Sequence, residues 1–130
     1  MIYGSETWAL KKTEERKLER TEMRMLRWAM GISLREHLRN EEVRRRAGVD
    51  CITEVIRKSK LRWFGHLVRR EDEEPIKKAW ITPVEGRRSR GRQRVRWKDG
   101  IAAELERMGV TEEDAMDRKN WRKLVHGAYP

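Results

Sequence analysis

Cysteine is all but missing. Cys51 stands alone, which excludes an internal disulfide and any zinc knuckle or ribbon made by this chain by itself. His37, His66 and His126 lie too far apart for a local metal motif, so neither a metal nor a cofactor is expected. Long apolar runs are missing as well. No stretch approaches the roughly 18 residues needed to span a bilayer. The N-terminus lacks the charged start and apolar core of a signal peptide, and an intracellular protein that enters no membrane is expected. Leu, Ile, Val and Phe supply only 25 of the 130 residues, and a net charge of +10 brings the composition near that of disordered chains. Six Trp and six Met weigh against disorder, because large or adaptable core fillers have little use in a solvated tail. The expectation is one compact unit or two small lobes.

Arginine, by contrast, is abundant. Residues 1 to 50 carry 12 basic and 9 acidic side chains, 51 to 100 carry 15 and 7, and 101 to 130 carry 5 and 6, so the positive excess is central. It peaks in thirteen residues, Gly86 to Lys98 (GRRSRGRQRVRWK), which hold Arg87, Arg88, Arg90, Arg92, Arg94, Arg96 and Lys98 and no carboxylate. Guanidinium forks match phosphate oxygens, and Gly86 and Gly91 let the backbone lie close to an anionic surface. Basic runs also occur as solvated loops and as nuclear-import signals. If all seven charges met phosphates, log affinity would fall against log salt with a slope of about −6 on duplex DNA and about −5 on single strands.

Helical periodicity recurs along the chain, and a mainly α protein of four to five helices is predicted, bundle-like, with an extended Arg-rich loop between the third and fourth main helices. Thr13 suits an N-cap ahead of Glu14 and Glu15, with Gly31 as the stop. In that first helix Leu18, Met25 and Ala29 line one face, and Arg16, Arg20, Arg24 and Arg27 form a stripe opposite, edged by Glu19 and Glu22. The stripe reads either as a solvated face or as a rail along a phosphate backbone. A short connecting helix follows, with Asn40 as its cap ahead of Glu41 and Glu42, running through Arg46 and closed by Gly48.

The third helix, Ile52 to Arg69, has the widest apolar face: Ile52, Ile56, Trp63 and Leu67, with Leu61, Phe64 and Val68 beside them. Gly65 inside it costs roughly 1 kcal/mol relative to Ala, which calls for close approach of another backbone. His66 is a satisfied surface histidine or a phosphate donor; no neighbouring residue marks it as a catalytic base. An acidic turn, Glu71 to Pro75, precedes a segment through Val84 expected to be extended or irregular. The fourth helix is expected from near Arg94, with Trp97, Ile101, Leu105 and Met108 facing inward, and TEED, Thr111 to Asp114, opens the last. Arg94 and Arg96 at a helix start oppose the macrodipole, and phosphate would supply the missing anion.

Four landmarks occur in order: YGSETW from Tyr3, LRWFGH from Leu61, GRRSRGRQRVRW from Gly86 and DRKNWR from Asp117. Together they resemble the C-terminal region of LINE-type non-LTR retrotransposon reverse transcriptases, over Tyr3 to about Val125. Gln93 departs from the proline that often follows GR in that family. The resemblance implies a thumb-like region over 1–70, a turn, extended segment and Arg-rich loop over 71–93, and a helical pair over 94–130. It also implies a truncated or detached module that grips RNA, DNA or a hybrid. No YxDD motif is present, and Asp99 and Glu104 fall about 140° apart on a helix, so no enzyme is expected of this chain alone. The alternative is a structural module that packs on missing polymerase domains or self-associates through an apolar patch near Trp8, Trp28 or Trp80.

Overall fold

The computed structural model describes residues 2–91 and 94–127. Among them are six α-helices: α1 (Lys12–Ala29), α2 (Asn40–Ala47), α3 (Ile52–Val68), α4 (Pro75–Ile81), α5 (Trp97–Met108) and α6 (Arg118–Gly127), with short 3-10 turns at Ser5–Thr7, Leu34–Glu36 and Glu113–Ala115 and no strand. The mainly helical expectation holds. The chain divides into two units, Leu10–Arg57, and the residues from Lys58 onward together with those before Leu10. The boundary falls within α3.

In the first unit, α1 begins earlier than its sequence suggests. Lys11 is the N-cap, and its backbone N–H donates to Glu14 Oε2 at 2.8 Å, so Thr13 lies inside the helix and caps nothing. The buried face is also turned from the expected one. Met23 and Glu22 are buried, whereas Met25 is 53% exposed and Ala29 is exposed. The reason is a polar hub. Glu22 Oε2 accepts from Arg44 Nη2 (2.8 Å) and Nε (3.1 Å), while its Oε1 accepts from the Ile52 backbone N–H at 3.0 Å. Glu19 accepts from the Thr53 hydroxyl at 3.1 Å. Two α1 carboxylates therefore sit where α3 starts, the end at which a helix favours negative charge. Met23, Val43, Ile52 and Ile56 are the buried apolar side chains of this unit.

The second unit is organised by aromatic rings. Leu61, Phe64, Val68, Ile101, Leu105, Ala115, Trp121 and Val125 form its core, with Trp80 and Trp97 half-buried against it. Phe64 meets Trp80 and Trp121 edge-on, with centroids 5.4 and 5.8 Å apart, and Trp80 meets Trp97 at 5.8 Å. Edge-to-face pairs of this kind add about 0.5–1.5 kcal/mol each beyond the area they bury. Trp97 Nε1 donates to the Glu6 carbonyl at 2.6 Å, which ties the N-terminal segment to α5. Gly65 faces the Trp121 indole, and a methyl group there would come within 2.5 Å of it. The close approach expected at Gly65 is thus made by a side chain, not by a backbone.

Three further expectations are corrected. Residues 76–81 are helical, because Pro75 occupies the first helical position, where its ring favours the required φ and its missing N–H costs nothing. The extended segment starts only at Thr82, held in the β region by Pro83. Helix α5 begins at Trp97 with Arg96 as its N-cap, so Arg94 precedes the helix. Asp114 does accept from the Thr111 backbone at 2.8 Å, but the turn it closes is 3-10. The cap of α6 is Asp117, whose Oδ1 accepts from the N–H groups of Lys119 (2.9 Å) and Asn120 (3.2 Å).

Candidate nucleic-acid interface

The Arg-rich segment lies between α4 and α5, and its described residues are 82–91 and 94–96. Its two ends are pinned together. Trp80 and Trp97 pack edge-on, and Lys98 donates to the Trp80 carbonyl at 3.0 Å with its ammonium 4.7 Å from the Trp80 ring. Packed rings thus close the segment at its base, and its described residues from Thr82 to Gly91 are exposed. Gly86 and Gly91 turn the backbone at φ 100° and 109°, a region that side chains with a Cβ rarely enter. Their role here is to bend the chain.

The seven cations from Arg87 to Lys98 divide by partner. Arg87, Arg90 and Arg94 are exposed and make no hydrogen bond or ion pair among the described residues. Arg88 is engaged: its Nη2 lies 2.8 Å from Asp99 Oδ2. That hydrogen bond holds the Asp99 carboxyl below its ordinary value, helped by the charge of Arg88 and by the backbone and charge of Arg96. Arg96 is half-buried beside the same carboxylate, and Lys98 is occupied at Trp80. Arg92 lies outside the described residues. A carboxylate one residue beyond the basic run thus neutralises part of it, which counting the run alone does not reveal.

On α1, Arg16, Arg20 and Arg24 are exposed and unpaired among the described residues. Arg27 is not part of a free stripe. Its Nη2 donates to the Leu38 carbonyl at 2.6 Å and to Asn40 Oδ1 at 3.3 Å, bracing the turn that leads into α2. Trp80 packs half-buried against the core, Trp8 is half-buried, and Trp28 is 86% exposed. Among the described residues no group of three His, Cys, Asp or Glu side chains is arranged to hold a metal ion. Glu104 pairs with Arg107 at 2.8 Å, Asp99 with Arg88, and Asp117 caps α6, so these three carboxylates each have a local partner.

His66 is exposed on α3, at the edge of a cleft of about 440 Å³ between α3 and α6. Burial lowers its pKa below the ordinary histidine value, and the charges of Arg69, Arg118, Arg70 and Arg62 lower it further. The cleft was missed in sequence because its two sides lie about fifty residues apart, and only the fold shows that they converge. No helix of the described residues is long and apolar enough to cross a membrane.

The chain is similar to an uncharacterized transposon-derived protein of Caenorhabditis elegans, with 28% identity over 142 residues, covering 96% of this chain and 49% of that relative. It therefore spans about half the length of the protein it matches. No protein-family model matches the chain, and no solved structure does.

Proposed function

We propose that this chain is a non-catalytic nucleic-acid-binding module, a truncated or detached C-terminal part of a LINE-type retrotransposon reverse transcriptase. The observation that carries the reading is the loop over 82–96, closed at its base by Trp80 and Trp97, with Arg87, Arg90 and Arg94 exposed and unpaired among the described residues. Unpaired guanidiniums meet phosphates without first breaking internal ion pairs. Contacts of this type give affinity with little base discrimination, so RNA, DNA and hybrid are all candidate partners. Similarity to a transposon-derived protein agrees with the proposed origin.

Three loop cations meeting phosphate correspond to a contribution of about −3 to the salt slope on duplex DNA and about −2 on single strands. Binding of labelled RNA, DNA and hybrid oligonucleotides from 50 to 300 mM salt tests this; a flat response would refute it. Replacing Arg87, Arg90 and Arg94 with Ala should weaken all sequences alike, and a loss confined to particular bases would contradict backbone contact.

A second reading has its own observation. Trp28 is 86% exposed, Leu34 79% and Met25 53%, all in the Leu10–Arg57 unit, and exposed apolar groups of this size commonly serve association. On that reading the chain packs on missing polymerase domains or on itself. Sedimentation across a range of concentrations would detect self-association, and a strict monomer removes that form of the idea.

A further inference from the structure

Arg62 and His66 stand four apart on α3, with Arg69 one residue past its end, and Arg118, Arg122 and His126 stand at offsets of 0, 4 and 8 on α6. The spacings put Arg62 and His66 on one face of α3 and the other three on one face of α6. The two faces line the same cleft of about 440 Å³, over Trp121 and Val125, which are buried. Gly65 permits this arrangement by letting the Trp121 ring lie against α3, where Trp121 Nε1 donates to the Leu61 carbonyl at 2.9 Å. Four guanidiniums and two imidazoles thus line a concavity to which no acidic side chain contributes among the described residues.

Like charges gathered this way repel, and the fold provides little relief. Arg62, Arg118, Arg122 and His126 have no hydrogen bond or ion pair among the described residues. Arg69 alone is anchored, its Nη1 donating to the Ala115 carbonyl at 2.6 Å, which fixes one guanidinium in place. Its own pKa is pushed down by burial and by Arg118. The α6 N-terminus is not the attraction, since Asp117 already occupies its first N–H groups. Guanidiniums facing each other across a cleft suit an anion with several oxygens, which arginine forks grip from two sides.

We propose that the α3–α6 cleft is a phosphate-binding site, separate from the Arg-rich loop, that takes a phosphate group of the bound polynucleotide. This rests on the nucleic-acid reading for the source of the phosphate, but not for the site's affinity for the oxyanion. Both a strand's terminal phosphate and an internal phosphodiester present the required oxygens, and the cleft's concavity is compatible with either.

The test uses the full chain and inorganic phosphate, followed by NMR of the His66 ring against chloride at matched ionic strength. Phosphate should shift the His66 resonance and raise its pKa, and Arg122→Gln and Arg62→Gln should each weaken phosphate binding about tenfold, as loss of one charge-assisted contact implies. Both residues are exposed and unpaired among the described residues, so thermal melting should not fall and a lost response would report binding. Equal response to phosphate and chloride, or Gln variants that bind as well as the parent, overturns the site whatever the loop does. Oligonucleotides of one sequence with and without a 5′-phosphate then identify the source: a His66 response only to the phosphorylated strand assigns the strand end, and a response to both assigns the backbone. Loop-dependent oligonucleotide binding that leaves His66 unmoved overturns the cleft proposal and spares the functional reading. Phosphate binding at His66 with no oligonucleotide binding at all overturns the functional reading and the polynucleotide source with it.

Discussion

Gly65 shows how one residue couples two helices. A methyl group there would meet the Trp121 indole within 2.5 Å, an overpacking that costs typically 1–3 kcal/mol, against roughly 1 kcal/mol gained in helix propensity. Packing wins, so Gly65→Ala should lower stability by about 1–2 kcal/mol in urea unfolding; an unchanged midpoint would mean that the indole moves aside without cost. Glu42 gives a pH-dependent counterpart. Hydrogen bonds from Arg45 and Arg46 hold its carboxyl at about 2, against an ordinary 4.5. Because the folded value is the lower one, what these pairs contribute is complete above pH about 4.5 and is lost as pH falls toward about 2. Carboxyl carbon shifts of Glu42 across that range should give the low midpoint, and a midpoint near 4.5 would show the pairs to be unoccupied in solution. The glycine's need for a close neighbour was legible in the sequence. The identity of that neighbour was not, since Trp121 is 56 positions away and only the fold brings it there.

At the level of elements, residue periodicity located α2, α3 and the inward face of α5 closely, because most of their buried positions are apolar and Gly48 and Gly109 stop α2 and α5, although Arg39 rather than Asn40 caps α2. It misjudged α1, where a buried position is filled by Glu22, a residue that apolar patterning assigns to solvent. Glu22 accepts three hydrogen bonds joining α1, α2 and the start of α3. Glu22→Ala would leave the Arg44 guanidinium, whose side chain is 18% exposed, and the Ile52 N–H without their acceptor, at a cost of about 2–4 kcal/mol. Chemical unfolding measures it, and a loss below about 0.5 kcal/mol would show the hub to be dispensable. Helix α4 was missed for a different reason. Pro75 was read as a breaker, yet at the first position of a helix it is a starter, and sequence alone does not say which side of the proline the helix lies on.

Across the whole molecule, the net charge of +10 was plain from composition, but which charges are free was not. Asp99 takes Arg88, Trp80 takes Lys98, and the Leu38 carbonyl takes Arg27, each through a contact that depends on the fold. Conversely, Arg62, Arg118 and Arg122 seemed unremarkable among so many basic residues until α3 and α6 placed them around one cleft. Arg16, Arg20 and Arg24 add a further unpaired set among the described residues, so the parent slope is expected to exceed the loop's share. The difference between two slopes isolates that share. Log affinity for a duplex oligonucleotide should be followed against log salt from 50 to 300 mM for the parent and for the variant with Arg87, Arg90 and Arg94 changed to Ala. If the loop arginines meet phosphate, the parent slope is steeper by about 3; two superimposable lines would contradict it.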